Sequence, residues 1–477
     1  MAYFENTDVN KFFEPTNALE FSNETSSGPE DLRHVWVENS ITSVVRIISI
    51  LLLRIGFILV QVGSIPVENA FMIIFRNILE IAVVIFSYGF MGFYLSFGKK
   101  SFYGIINYDG YIGDKDADLS SAALGFSACL LATAITSSMF IARLHQVPML
   151  LIAFFTSAFF LPVLMCWCWS NRGWMTMATI LEERVSIKDF GGNLVVHVPS
   201  AIIGLMGALF LGRRIMKLKD VDRFSLGHEY TSGIVTGYFF VIIGHIGFNL
   251  PTASYESSHG LKDYISLISI NSLMAMGAGI LVVSLVILII TRDTYRYWII
   301  VKCLQGGLAG VVTVSAGIDV YSPSINFAIA CVGGFIFYFF SNVIHFSALE
   351  DCCNVLAVYL LCGCLGVLIP PLLANGENLG LAVPMRLRLV HLLWQFICLI
   401  IIILIIAIFY LAIFTVFHVT RMLKNHFEKL NHQRAKVLYG RLPWKKYFDR
   451  IFKISDKSKE LSPGSNRSQL NQTFTVL

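Results

Sequence analysis

A helix that crosses a bilayer needs about 20 consecutive, mostly apolar residues. This 477-residue chain holds eleven runs of that kind, at 41–65, 72–97, 120–143, 147–169, 190–212, 230–250, 265–291, 297–316, 323–344, 353–374 and 389–418. Lipid offers no partner for an unpaired backbone N–H or C=O, so open chains of this composition are confined to helices. The expectation is an all-α polytopic membrane protein with eleven transmembrane helices. Charge points the same way: 14% of residues are charged and 56% hydrophobic. Soluble domains carry about 25% charge, so this chain has too little to cover a water-facing surface.

An odd number of spans puts the termini on opposite sides. Arg213, Arg214, Lys217, Lys219 and Arg223 crowd one loop, Arg292 and Arg296 another, and Arg421 to Lys459 is dense in Lys and Arg. The loops of opposite parity are mixed or acidic, with Asp109, Asp114, Asp116 and Asp118 in 98–119. Positive charge stays cytoplasmic, which predicts an extracellular segment 1–40, a membrane domain 41–418 and a basic cytoplasmic tail 419–477. Arg386 and Arg388 are the exception, falling outside. The sequon Asn23-Glu24-Thr25 lies on the outer side as a candidate glycosylation site, whereas those at Asn466 and Asn471 fall in the cytoplasmic tail. The first 40 residues lack the basic start and apolar core of a cleavable signal peptide.

Basic residues flank spans rather than forming a separate patch, so the partner implied is the lipid bilayer and not nucleic acid. The ten cysteines sit in or at the edge of apolar runs and read as small hydrophobes. No metal cluster, phosphate loop or nucleophile–base arrangement is present, so neither an enzyme nor a cofactor is expected.

Two segments share one layout. Asp189-Phe-Gly-Gly-Asn-Leu-Val-Val-His197 and Asp351-Cys-Cys-Asn-Val-Leu-Ala-Val-Tyr359 place an acid eight positions before a polar aromatic residue. Leu194/Leu356, Val196/Val358 and Gly204/Gly366 match at the same offset. These segments open the fifth and tenth runs, and five is odd, so the halves 41–212 and 230–374 must have opposite topology. That is the pattern of two inverted five-helix repeats, whose site lies where the halves meet, with 389–418 as a long extra helix. His197, buried in an apolar helix, is either functional or satisfied by a neighbouring helix. Its mate Tyr359 supplies a second group able to hydrogen-bond a small polar solute. Asp189 and Asp351 at helix starts serve as caps, a function of the site, or both. Glu350 reads as a solvated charge.

The motif from Asp189 to His197, followed by Gly204 to Gly212, resembles the signature of the ammonium transporter (Amt/Mep) family. Gly56-Phe57, Gly63-Ser64, Asn69-Ala70 and Arg76-Asn77 look like its first-helix pattern, Gly247-Phe248-Asn249 its sixth-helix motif, and Asp351 to Tyr359 its tenth-helix motif. The resemblance covers about 45–420 and implies an eleven-helix homotrimer with one pore per subunit, taking ammonium or ammonia across the plasma membrane. It makes His197 the first pore histidine and Phe248 the inner gate ring. Thr252 takes the place of an outer-site Ser, and Trp167 or Trp169 that of the outer-site Trp. Asn249 belongs to the supporting polar set.

The departures bear on function. Tyr359 stands where the family has its second pore histidine, and Asn354 where it has a second acid. The outer gate Phe aligns with Ala128, with Phe126 two positions away. Ile141-Ala142-Arg143 lacks the family's Glu, and His245 replaces a Trp three residues before Phe248. The expectation is an ammonium/ammonia transporter or channel with a modified pore; the alternative is a non-conducting sensor or regulatory relative on the same fold.

Overall fold

The computed structural model describes residues 29–65, 70–212, 228–252, 261–291, 297–347, 349–373 and 385–424. Asn23, Asn69, the basic loops 213–223 and 292–296 and most of the tail lie outside the described residues. Among the described residues the main helices are α1 (Pro29–Gly63), α2 (Ala70–Phe97), α3 (Leu119–Ser138), α4 (Gln146–Trp169), α5 (Asn193–Leu211), α6 (His228–Phe248), α7 (Leu261–Thr291), α8 (Tyr297–Val314), α9 (Pro323–Phe346), α10 (Leu356–Leu368) and α11 (Met385–Val419). Among the described residues nine helices are long and apolar enough to cross a membrane, and stretches of α6 (Ser232–Phe248) and α10 are shorter apolar helices. This is a multi-pass membrane protein. Two antiparallel hairpins, β1 (Lys100–Phe102) with β2 (Ile106–Tyr108) and β3 (Ala178–Ile180) with β4 (Glu183–Val185), sit in connections that the apolar runs do not anticipate.

Local signals set the helix ends. The Asp118 carboxylate accepts from the Ser120 and Ser121 amides at 3.0 and 3.3 Å and starts α3, as an N-cap should. Pro323 opens α9, where its missing N–H has no helical partner to lose. Close approach comes from small residues: a Cβ on Gly56 of α1 would lie 2.5 Å from the Gly237 carbonyl oxygen of α6. The outward faces of α7 and α11 carry exposed Leu281, Leu285, Ile289, Leu404 and Ile408, which suits contact with lipid.

α11 is held against the rest of the bundle by three contacts. The Trp394 indole donates to the Met175 carbonyl at 2.9 Å, the Tyr410 and Thr156 hydroxyls bond at 2.6 Å, and Phe414 packs on Phe140 at 5.8 Å. Its 33-residue apolar stretch, at 1.5 Å per residue, is about 50 Å long, against about 30 Å of hydrocarbon.

Polar side chains are buried between α1, α2 and α3. Arg54 donates to Glu80 at 3.1 Å, to the Leu130 carbonyl at 3.2 Å and to Thr133 at 3.3 Å, and Arg54 and Glu80 are each 1% exposed. Nearby, Asn77 donates to Gln61 at 2.9 Å. Charges so deep persist only when paired.

Candidate functional site

α5 and α10 begin alike. The Asp189 carboxylate accepts from the Leu194 and Val195 amides, both at 3.1 Å, and the Asp351 carboxylate from the Val355 and Leu356 amides at 2.8 and 2.7 Å. Each acid thus satisfies N–H groups that open a helix end. Between acid and helix the backbone turns left-handed at Gly192 (φ +77°) and Asn354 (φ +54°), two positions 162 apart. Gly adopts this conformation freely and Asn better than most residues, which accounts physically for Asn at 354. Both helices then open with a wide π turn, Asn193–His197 and Leu356–Leu361. The wide turn offsets the side chains that follow from the α-helical register, a device frequent at functional sites.

These turns bring His197 and Tyr359 together, with ring centroids 5.6 Å apart. His245 of α6 joins them, 5.5 Å from His197 and 5.6 Å from Tyr359. The interplanar angles are 19° between His245 and His197, 26° between His245 and Tyr359 and 32° between His197 and Tyr359, so the three rings occupy the corners of a triangle. All three are buried, with 2% exposure at most. The His197 Nε2, His245 Nε2 and Tyr359 hydroxyl have no hydrogen-bond partner among the described residues. Each unpartnered buried polar group is unfavourable by about 1–3 kcal/mol, so three such groups side by side make this cluster the candidate site for a polar occupant.

Both imidazoles are fixed at their other nitrogen. His197 Nδ1 lies 2.7 Å from Asn193 Oδ1, and the Asn193 Nδ2 donates to the Val312 carbonyl at 3.0 Å. A carbonyl accepts only, so the amide orientation is set and His197 Nδ1 must carry the hydrogen. His245 Nδ1 likewise donates to the Val241 carbonyl at 2.8 Å. In the neutral ring each Nε2 then presents a lone pair.

Next to the rings, Phe248 and Trp169 flank Gly192: a Cβ there would lie 3.3 Å from both the Phe248 and the Trp169 rings. The Trp169 indole donates to the Asp189 carbonyl at 2.8 Å. Trp167 instead donates to the Ile105 carbonyl at 2.8 Å and packs edge-on to Trp174 at 5.6 Å, under the first hairpin. Thr252 closes the described stretch after α6 and is half-buried, two residues beyond Leu250, whose carbonyl accepts from Arg46. Asn249 donates to the Ser315 hydroxyl at 3.4 Å, beside the 190–191 backbone, whose amides donate to Ala316 and Ser315 at 3.0 and 2.8 Å. Asn354 donates to Gln305 at 2.7 Å. Ala128 is fully buried in α3, and Phe126 packs edge-on to Tyr88 at 4.8 Å.

The residues just before the two acids are tied down in mirrored fashion. Lys188 pairs with the buried Asp319, after α8, and Glu350 pairs at 3.1 Å with Arg143, after α3. Arg143 also donates to the Gly212 and Leu211 carbonyls at 2.7 and 3.1 Å, closing the end of α5. Glu350 is therefore not a solvated charge: it is 7% exposed and bound to a guanidinium. In the sequence His245 stands out only as the replacement of a Trp three residues before Phe248. Its signal was a histidine inside an apolar run, one turn before Phe248.

The profile of the Ammonium Transporter Family matches residues 41–434. The chain belongs to that family. It is a family of transporters rather than enzymes. The chain is 25% identical over 334 residues to ammonium transporter 1 member 2 of Oryza sativa subsp. japonica, covering 66% of each. It is 25% identical over 328 residues to ammonium transporter Amt1 of Methanocaldococcus jannaschii, covering 67% of this chain and 76% of that one. The chain thus spans about two thirds of the length of the rice relative. Among solved structures, a sensor Amt protein superposes with a TM-score of 0.69 at 21% identity, over 85% of this chain and 99% of that one. Mep2 of Saccharomyces cerevisiae superposes with a TM-score of 0.66 at 16% identity, over 81% and 90%. The fold is shared with both.

Proposed function

We propose that this protein conducts ammonium or ammonia across the plasma membrane through the seam where α5, α6 and α10 meet. The observation that carries the reading is the triangle of His197, His245 and Tyr359, each with a buried polar atom left without a partner. Membership of a transporter family supports it, as do relatives named ammonium transporters. Trp169, rather than Trp167, forms the outer mouth with Thr252, its ring face attracting a cation, and Phe248 is the inner gate ring. Asp189, Asp351, Asn249 and Asn354 hold the path open by fixing the starts of α5 and α10. Ala128 leaves the outer gate wider than a Phe would, with Phe126 the nearest aromatic in sequence.

The remaining architecture follows the same reading. α6 and α10 cross with the nine longer helices to make eleven spans. The halves 41–212 and 230–374 are inverted repeats, supported by matched caps, left-handed turns and ion pairs at one offset. The segment 1–40 is extracellular, the tail 419–477 is cytoplasmic, and the protein works as a homotrimer with a path in each subunit.

The test is ammonium uptake and ammonium-dependent current in cells lacking their own transporters, with surface expression checked. Uptake well above the control supports the proposal; none, with the protein at the surface, refutes it. A second reading, a sensing relative that binds ammonium without passing it, draws on Tyr359. A phenol, with a pKa of about 10, is a poorer proton relay than an imidazole near 6.5. Ammonium binding without uptake would select it.

A further inference from the structure

We infer that His245 supplies the second imidazole of this site, so that a histidine pair is kept between α5 and α6 although position 359 is a tyrosine. The inference rests on the reading of the three-ring cluster as the ammonium path. His197 and His245 have centroids 5.5 Å apart and planes 19° apart, the closest and most nearly parallel pair of the three. When neutral, both rings are fixed as the same tautomer, because each Nδ1–H is used, by Asn193 in one case and by the Val241 carbonyl in the other. Both lone pairs at Nε2 are left buried and unpartnered.

A histidine kept only for packing would be expected to satisfy both nitrogens, because leaving one bare is unfavourable. Here neither does. Two acceptors beside a phenol that both donates and accepts make a site selective for a small N–H donor. Ammonium and ammonia carry such hydrogens and potassium does not. A tryptophan at 245 would add bulk and a donor but no acceptor, so the exchange changes what position 245 offers the solute. Tyr359 then contributes its hydroxyl as the third contact.

The experiment compares the full-length protein with His245→Phe and with the double variant His245→Phe/Tyr359→His. Ammonium flux is read in transporter-deficient cells at matched surface expression. Thermal unfolding of the purified protein is read with and without ammonium chloride, with potassium chloride as the control. His245→Phe is expected to lower flux about tenfold or more, the factor for losing a hydrogen bond to a charged donor. The double variant, which returns an imidazole from α10, is expected to regain most of it. Wild-type flux in His245→Phe overturns the inference and leaves the transport reading standing. Loss in the single variant without recovery in the double also overturns it, since a packing role alone would look like that. If the unaltered protein passes no ammonium but is stabilised by it, and only His245→Phe loses that stabilisation, transport fails and the imidazole pair stands. Neither flux nor ammonium-dependent stabilisation in the unaltered protein overturns both. Should His245→Phe not reach the membrane, His245→Trp is read in the same way.

Discussion

Gly366→Ala tests how tightly the scaffold controls His197. The added Cβ would sit 2.2 Å from Asn193 Nδ2 and 2.5 Å from the Thr313 carbonyl oxygen. The carbonyl belongs to the α8 backbone and cannot rotate away, so α10 must retreat or the Asn193 amide must move. If the amide moves, it loses its bond to Val312 at 3.0 Å and releases His197 Nδ1 from its 2.7 Å contact. Overpacking costs about 1–3 kcal/mol, and two lost hydrogen bonds add about 1 kcal/mol each. The sum is a destabilisation of about 3–5 kcal/mol. Gly277→Ala is the control, since a Cβ there meets nothing within 4 Å. Thermal unfolding of the detergent-purified protein should show Gly366→Ala well below the unaltered protein and Gly277→Ala close to it. Ammonium flux should fall in the first variant only. Equal melting temperatures and equal flux for the two variants would refute the claim that the α8–α10 contact fixes Asn193 and, through it, His197.

Other expectations follow from single contacts. Arg54→Met or Glu80→Gln alone should each lower stability by about 3–5 kcal/mol, because each leaves half of a buried pair uncompensated; in a double-mutant cycle the double variant should lose clearly less than the sum. Asn354→Gly and Asn354→Val both lose the bond to Gln305, but Asn354→Val should lose about 1–2 kcal/mol more to the left-handed backbone, and equal melting temperatures for the two would count against that account. A tag placed at Asn23 should be reached by antibody on intact cells and a tag at residue 470 only after permeabilisation; the reverse pattern would defeat the assigned sidedness.

The spans were legible because lipid leaves the backbone so few options. The run 147–169 is α4, Gln146–Trp169, nearly residue for residue. The tenth run was less so: 353–374 was expected, but the regular helix is Leu356–Leu368. Asp351 and the left-handed Asn354 delay its start, and Pro370 and Pro371, which lack an N–H, interrupt it before the short turn Pro370–Leu373. The pairing of Glu350 was hidden because Arg143 is 207 positions away in the chain. Trp167 and Trp169 differ in where each indole finds its carbonyl, Ile105 for one and Asp189 for the other, which spacing alone does not reveal. The π turns left no mark in the apolar pattern, yet they set where His197 and Tyr359 point.

Positions 162 apart do the same structural work wherever the scaffold demands it. Asp189 and Asp351 cap, Gly192 and Asn354 turn left-handed, and Gly204 and Gly366 admit a neighbour, Met139 in one case and Asn193 with Thr313 in the other. Lys188 and Glu350 even exchange sign and still each hold an ion pair to the chain just past α3 or α8. In each of these pairs physics narrows the residue to one or two types. His197 and Tyr359 occupy equivalent turns of equivalent backbone, yet they differ. The backbone therefore does not dictate either side chain. What remains to select them is the space they face, and that space is shared with His245, a residue from a third helix with the same unused nitrogen. On the proposed reading, specificity lies in these three rings rather than in the backbone that holds them.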